Sequence, residues 1–271
     1  MHTHAILENT CRQAAGGLQP FPQMGAQRVH DPDQLSTPHQ RWVLEEVLDH
    51  KRGGFFVEAG AADGYGYMSN SYFLESSYGW TGICCEPDPA LYEKLKARRS
   101  CVCLNNALSE VDGEIQITIN PDIPGTSGLP GAMPADIRAR FFDPNKEYPQ
   151  VKVRARPLAD ILRENDAPKH IDYFSLDIEG MEWPALKSFP FDEYTFGCLN
   201  IERGSKDYLR LRRHILRQGY ELVDIGPMDD FFVHESLGFR RSLRKRIRNR
   251  IKGLGQEAKQ LVRPWLTPAA G

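Results

Sequence analysis

The sequence predicts an α/β protein built on a doubly wound, mostly parallel sheet that ends in an antiparallel hairpin. Three observations carry this. Short apolar runs that finish on an acid recur at residues 55–58, 81–86, 171–177 and 196–202. Segments of helical spacing separate them, and strand-helix alternation of this kind builds a parallel sheet. The last two runs, 220–225 and 230–233, are joined only by a turn around Gly226-Pro227, which permits antiparallel pairing and leaves no room for a crossover helix.

The elements follow in order. Trp42, Val43, Val47 and Leu48 recur at helical spacing, and Lys51-Arg52-Gly53-Gly54 supplies basic residues and then a glycine stop. Phe55-Phe56-Val57 is an uninterrupted apolar run, as expected of a strand buried on both faces. It ends at Glu58 and enters the turn Gly60-Ala61-Ala62-Asp63-Gly64, whose missing side chains allow a ligand close to the backbone. Residues 70–77 read as a helix carrying Tyr72, Phe73 and Leu74. The strand 81–86 runs into Pro87-Asp88-Pro89, a helix entry, and 90–98 places Leu91 and Leu95 at i, i+4. A short strand at 101–104 precedes Asn105-Asn106-Ala107. From 114 to 120, Ile115, Ile117 and Ile119 alternate with polar residues, the period of a half-exposed strand. Residues 121–149 form a long Pro- and Gly-rich segment with a helical patch at 136–142, and a loop of that length inside a domain is usually functional. Strand 151–154 and helix 157–163 follow. The strand ending at Asp177 turns through Ile178-Glu179-Gly180-Met181-Glu182, and a helix beginning near Gly180 would put Glu179 and Glu182 on one face. The strand 196–202 and a basic helix at 206–217 complete the alternation.

The 271 residues are 41% hydrophobic, enough for a substantial core, and the net charge of −2 gives no overall pull towards nucleic acid or acidic lipid. No apolar run approaches the ~20 residues of a membrane span. Residues 1–25 lack a basic region followed by an apolar stretch. The six cysteines form no CxxC pair and fall mostly in strands, as expected of reduced core residues in a cytoplasmic protein.

Glu58, Glu86, Asp177 and Glu202 each sit at the carboxyl end of a strand. The ends of parallel strands share one edge, so these acids are expected to converge on one crevice, although any single acid there could cap the helix that follows. The turn lacks the second glycine of G-x-G-x-x-G and carries an acid where a pyrophosphate would lie, which disfavours a dinucleotide. A cofactor with a ribose diol, a positive charge and no phosphate fits better. S-adenosylmethionine meets that description, with Glu58 near the amino group and Glu86 on the ribose hydroxyls.

The strings Gly54-Phe55-Phe56-Val57-Glu58-Ala59-Gly60-Ala61-Ala62-Asp63-Gly64, Ser69-Asn70-Ser71-Tyr72-Phe73-Leu74-Glu75 and Gly79-Trp80-Thr81-Gly82-Ile83-Cys84-Cys85-Glu86-Pro87 resemble the FkbM-type methyltransferases. Asn106-Ala107-Leu108-Ser109 with Asp112-Gly113, and the block from Ile171 to Glu182, extend the resemblance over about residues 40–233. Ala62 departs from it, standing where asparagine is common. The resemblance implies a class I methyltransferase, Rossmann-like fold with a seven-stranded sheet, and O-methylation of a hydroxyl on a sugar, glycan or glycolipid. It implies Glu58, Gly60, Ala61, Asp63, Gly64 and Ser69 at the methionyl and ribose end of the cofactor, Glu86 with Pro87 at the ribose, Asn106 and Ala107 at the adenine, and Asp177 beside the transfer site. On this reading residues 1–35 are a flexible arm, 36–236 the methyltransferase domain and 237–271 a basic amphipathic tail.

Methyl transfer to a hydroxyl needs alignment and a base. Asp177 is the first candidate for the base, with Glu179 and Glu202 beside it. A divalent cation held by Asp177, Glu179, Glu182 and Glu202 is the competing device, since these are hard oxygen ligands. His170 and His234 read as strand-end residues. In the tail, Leu243, Ile247, Ile251 and Leu254 line one stripe of a cationic helix, suited to an anionic membrane surface or to docking on a partner. The cationic stretch 240–254 of the tail holds no aromatic on which bases could stack, so nucleic acid is not expected. A nicotinamide (NAD) oxidoreductase and a non-catalytic adaptor with a membrane-binding tail are the alternative readings.

Overall fold

The computed structural model describes residues 37–239, apart from 130, 133, 134 and 227. The arm at 1–35 and the basic stripe from residue 240 onward lie outside the described residues.

Helix α1 (Pro38–Arg41) is capped by the Thr37 hydroxyl and continues as a π-helical turn over Trp42–Val47. Then come β1 (Phe55–Ala59), α2 (Tyr72–Tyr78), β2 (Thr81–Cys85), α3 (Pro89–Arg98), β3 (Val102–Leu104), β4 (Ala107–Leu108), β5 (Gly113–Thr118), α4 (Ala135–Phe141), β6 (Gln150–Arg156), α5 (Leu158–Glu164), β7 (His170–Leu176), α6 (Glu182–Leu186), β8 (Thr195–Glu202), α7 (Tyr208–Leu216), β9 (Tyr220–Ile225) and β10 (Asp229–His234). Helix α3 starts where the sequence places it, because the Asp88 carboxylate accepts from Ala90 N at 2.9 Å and Pro89 occupies the first turn.

Seven strands form the main sheet in the order β3-β2-β1-β7-β8-β10-β9. Its pairs are parallel except those of β10, which runs antiparallel to both neighbours. This is the doubly wound sheet with a closing hairpin that the sequence predicts. Successive residues of each strand face opposite layers. Val57, Ile83, Phe174 and Leu199 pack against Leu158, Leu162, Leu211 and Ile215 of α5 and α7. Phe56, Tyr173, Cys198 and Phe231 pack on the other side with Trp42, Leu44, Leu74 and Leu95. Each fully buried large side chain of this kind contributes about 1.5–3 kcal/mol.

Three strands leave the alternation. β4, β6 and β5 form a separate sheet in that order, with β5 antiparallel to β6. The reason is legible in β5: only Ile115 and Ile117 are apolar, so the strand has one face to bury and cannot enter a sheet covered on both sides. Ile117 closes with Ala107, Val153 and Ala155 into a small core of its own.

A second difference concerns α6. The helix begins at Glu182 rather than near Gly180, so Glu179 and Glu182 share no helical face. Glu179 has φ +54°, and the Glu182 carboxylate turns back to accept from Ile178 N at 3.2 Å and Gly180 N at 3.1 Å. An acid in the first turn thus satisfies backbone donors of the turn that leads into the helix.

Candidate active site

The site grows out of the turn after β1. Gly60 has φ +80°, and its amide with that of Ala61 donates to the Cys85 carbonyl at 3.0 and 3.1 Å. Asp177 N donates to the Ala59 carbonyl at 3.1 Å. The turn is therefore sewn to the ends of both neighbouring strands, at the carboxyl edge where open α/β sheets take ligands. Ala62 N donates to Glu86 Oε2 and Asp88 N to Glu86 Oε1, each at 2.8 Å. Burial pushes the Glu86 carboxyl up to about 7, against the pull of these two amides.

A cavity opens between these elements. Ala59, Gly60 and Ala62 form its floor, and Glu86, Pro87, Asn106, Ala107 and Leu108 one side. Ile115 and Ile117 of the small sheet cover it together with Gly125, Ser127, Gly128 and Leu129 from the long segment. Asp177, Ile178, Glu179 and Met181 form the opposite wall. Its described lining holds three acids and no Lys, Arg or His.

Of the residues singled out in the sequence, the structure brings Gly60, Glu86, Pro87, Asn106, Ala107, Asp177 and Glu179 together in this lining. Glu58, Ala61, Asp63, Gly64, Ser69, Glu182 and Glu202 lie outside it. Glu58 is 1% exposed and accepts from Asn70 N and from the hydroxyls of Ser69 and Ser71. The Arg99 guanidinium stands 3.6 Å from its carboxylate and also pairs with Glu75. Ser69 is buried between Glu58, Arg99 and the Gln40 amide, which donates to the Ser69 carbonyl at 2.9 Å. Asp63 pairs with Arg98, Ala61 is fully buried in the core and Gly64 backs onto Leu95.

Behind the wall the acids are coupled. Burial raises the Asp177 carboxyl, and the charge of Asp229 adds to this, while a hydrogen bond with Glu202 opposes it. Burial raises Glu202 well above the carboxylate range, reinforced by the charges of Asp177, Glu179 and Glu182 and by its contact with Asp177. Glu179 is raised by burial and then by Asp177 and Glu182. Its left-handed backbone is the kind of strain that collects at functional sites.

Among the described residues, no group of three or more His, Cys, Asp or Glu side chains is arranged to hold a metal ion. Within the set Asp177, Glu179, Glu182 and Glu202, the Glu182 carboxylate serves the backbone of its own turn. The five described cysteines are free; Cys85 lines the cavity, and burial pushes its thiol up, away from ionisation.

Sequence reasoning passed over His39 and Asp229. His39 Nε2 lies 2.9 Å from Asp229 Oδ2, and its ring stacks on Phe231 at 5.4 Å. Asp229 also accepts from Asn200 Nδ2 at 3.1 Å and pairs in register with Glu202. No local motif marks this pair, since 190 positions separate its members and only the reversed β10 brings them together.

A doubly wound seven-stranded sheet with one reversed strand, a glycine turn against the next strand and a buried acid beyond it define a class I methyltransferase fold. The chain belongs to the FkbM methyltransferase family: the family model described as "Methyltransferase FkbM domain" matches residues 58–222. It is an enzyme of that class. Solved structures with a similar chain path include the METTL16 MTase domain (crystal form 2), at 12% identity and TM-score 0.39, over 71% of this chain and 64% of that one. A methyltransferase from Pyrococcus furiosus gives 14% identity and TM-score 0.35, over 84% and 94% of the two chains. The human methyltransferase 10 domain containing protein gives 13% and 0.38, over 74% and 81%. The assignment does not rest on these three. No curated protein sequence gives a match.

Proposed function

We propose that the protein is an S-adenosylmethionine-dependent O-methyltransferase whose acceptor is a hydroxyl of a sugar, glycan or glycolipid. The observation that carries the cofactor is the lining of the cavity: Glu86, Asp177 and Glu179 face it and no described cation does. With Glu179 neutral, Asp177 and, above about pH 7, Glu86 supply the negative charge, so the site offers a pyrophosphate no cation and favours a ligand with positive charge. The turn holds this wall in place, since Gly60 packs directly against the Asp177 carbonyl. The acceptor class rests on the family resemblance.

Glu86 would hold the ribose diol, since each of its oxygens accepts one backbone amide and keeps a lone pair. Asn106 and Ala107 would flank the adenine under the apolar cover of Ile115 and Ile117. The cofactor supplies an electrophilic methyl group on a sulfonium. Holding the acceptor oxygen in line can supply up to ~7–11 kcal/mol of the barrier. A base adds roughly 10²–10⁴-fold. Asp177 would take the hydroxyl proton on a carboxylate oxygen, and a Glu202 that keeps its own proton would orient it. Glu179, neutral in its buried setting, would donate rather than accept.

Calorimetric titration with S-adenosylhomocysteine, beside Glu86→Gln and an NAD control, tests the cofactor. Micromolar binding that weakens at least tenfold in the variant supports it. Binding of NAD instead would overturn it. The basic tail beyond the described residues is proposed to meet an anionic membrane surface. Vesicle flotation that is unchanged when residues 240–271 are deleted would sink that part.

A further inference from the structure

Beside the cofactor cavity lies a groove of about 810 Å³ that the proposed chemistry leaves unused. Gly128 and Leu129 line both, so the cavity and the groove are the two sides of one strip of chain. That strip is built, not loose. Gly128 exchanges backbone hydrogen bonds with Thr118 at 2.7 and 3.0 Å. Asn120, 1% exposed, donates to the Phe141 carbonyl at 2.8 Å and to Thr126 Oγ1 at 3.2 Å. One buried amide thus ties the end of α4 to the strip that walls the cavity.

The groove combines ring surface with hydrogen-bonding groups. Phe142 and Tyr148 meet edge to face at 4.9 Å, and the Thr118 hydroxyl accepts from the Gln150 amide at 2.9 Å. Saccharides present the same mixture, apolar C–H patches between hydroxyls, and a ring platform beside an amide and a hydroxyl suits them. The charges separate by partner. Lys146 is paired with Asp122 and stands 5.3 Å over one face of the Tyr148 ring, and the Asp143 carboxylate accepts from Asn145 N at 2.9 Å in its own turn. Arg138 is exposed, lines the groove and meets no acid among the described residues. A planar guanidinium at that position recognises a carboxylate or phosphate by paired hydrogen bonds.

We infer that this groove is an acceptor subsite for an acidic saccharide, one bearing a carboxylate or phosphate that Arg138 reads while Phe142 and Tyr148 support the ring. Its role as an acceptor subsite rests on the methyltransferase reading above, whereas its ligand chemistry does not.

Saturation-transfer NMR and calorimetry on the full chain test it with three probes: glucuronate, glucose 6-phosphate and, as neutral control, glucose. At least one acidic probe is expected to bind at millimolar concentration and about tenfold more tightly than glucose. Arg138→Ala should abolish that preference, Arg138→Lys should keep part of it, and Tyr148→Ala should weaken every probe. S-adenosylhomocysteine binding should change less than twofold in Arg138→Ala. Acidic probes that bind no better than glucose, or a preference that survives Arg138→Ala, would overturn the inference. Silence towards S-adenosylhomocysteine in the unsubstituted protein would strike the cofactor reading instead and leave the saccharide titrations to judge the groove.

Discussion

Gly60 and Asp177 are in backbone contact: a Cβ built on Gly60 would lie 1.8 Å from the Asp177 carbonyl oxygen. The turn after β1 and the end of β7 are thereby locked at one distance, and the cavity floor and its acidic wall move together.

Gly60→Ala should therefore fail on two counts. Its φ of +80° is unfavourable for any side chain, and the new methyl meets backbone, which cannot rotate away. We expect a loss of at least ~2 kcal/mol in urea unfolding and no detectable S-adenosylhomocysteine binding. Gly66→Ala is the control, since Gly66 has φ +57° but open space around it, and should cost only about 1 kcal/mol of backbone strain. Equal losses in the two variants would show that the contact is immaterial.

Arg99 is the cation of a buried cluster, with its side chain fully covered between Glu58 and Glu75. Removing it leaves two carboxylates in the interior without a counter-charge. Arg99→Met is expected to destabilise the fold by about 3–5 kcal/mol. Adding Glu58→Gln should recover part of that, because the amide keeps the shape without the charge. Chemical denaturation of the single and double variants checks both. A double variant no better than the sum of the singles would mean that the pair is not coupled.

Glu58 also marks the limit of what the residues reveal. The alternation of apolar runs and helical segments states the sheet, because burial on both faces leaves an unmistakable pattern. Which way an acid points is a different matter. Glu58 and Phe56 share a strand face turned towards α2 and Arg99, while Glu86 and Asp177 stand just past their strand ends, where the backbone turns into the crevice. An acid within a strand and one beyond it look alike in sequence. In the small sheet β5 and β6 were legible as strands, but β4 and the cavity roof were not, since pairing across β4, β6 and β5 depends on contacts up to 48 positions apart, as between Ala107 and Ala155. His39 and Asp229 meet only through the reversal of β10.

The buried acids give the protein a pH signature. Glu86 and Glu182 are both pushed up to about 7 by burial, from the 4.5 they have when unfolded. The folded state therefore holds protons that the unfolded state releases, and stability falls as pH rises from about 4.5 to 7. Each group contributes on the order of 3 kcal/mol to that fall. Glu193, held down to about 2 by Arg163 and Lys169, acts oppositely but only below 4.5. The melting temperature without ligand should be highest near pH 5 and lower at pH 8. The extra stabilisation by S-adenosylmethionine should grow over the same range as carboxylates ionise. A melting temperature that climbs steadily from pH 5 to 8 would contradict the burial of these groups as acids.

The proton between Glu202 and Asp177 can be tested by an isostere. If Glu202 is neutral and donates to Asp177, Gln supplies an N–H donor of the same shape in its place. Glu202→Gln should then stay within ~1 kcal/mol of the parent, whereas Glu202→Ala, which orphans Asp177 and leaves a void, should cost about 1–3 kcal/mol. The two states of Glu202 predict different signs. An ionised Glu202 would repel Asp177, Glu179 and Glu182, and its replacement by Gln would stabilise the protein by relieving that repulsion. Unfolding of Glu202→Gln at pH 7 therefore reads the proton directly: little change places it on Glu202, and a gain of more than ~2 kcal/mol removes it and leaves Asp177 without the donor that orients it as a base.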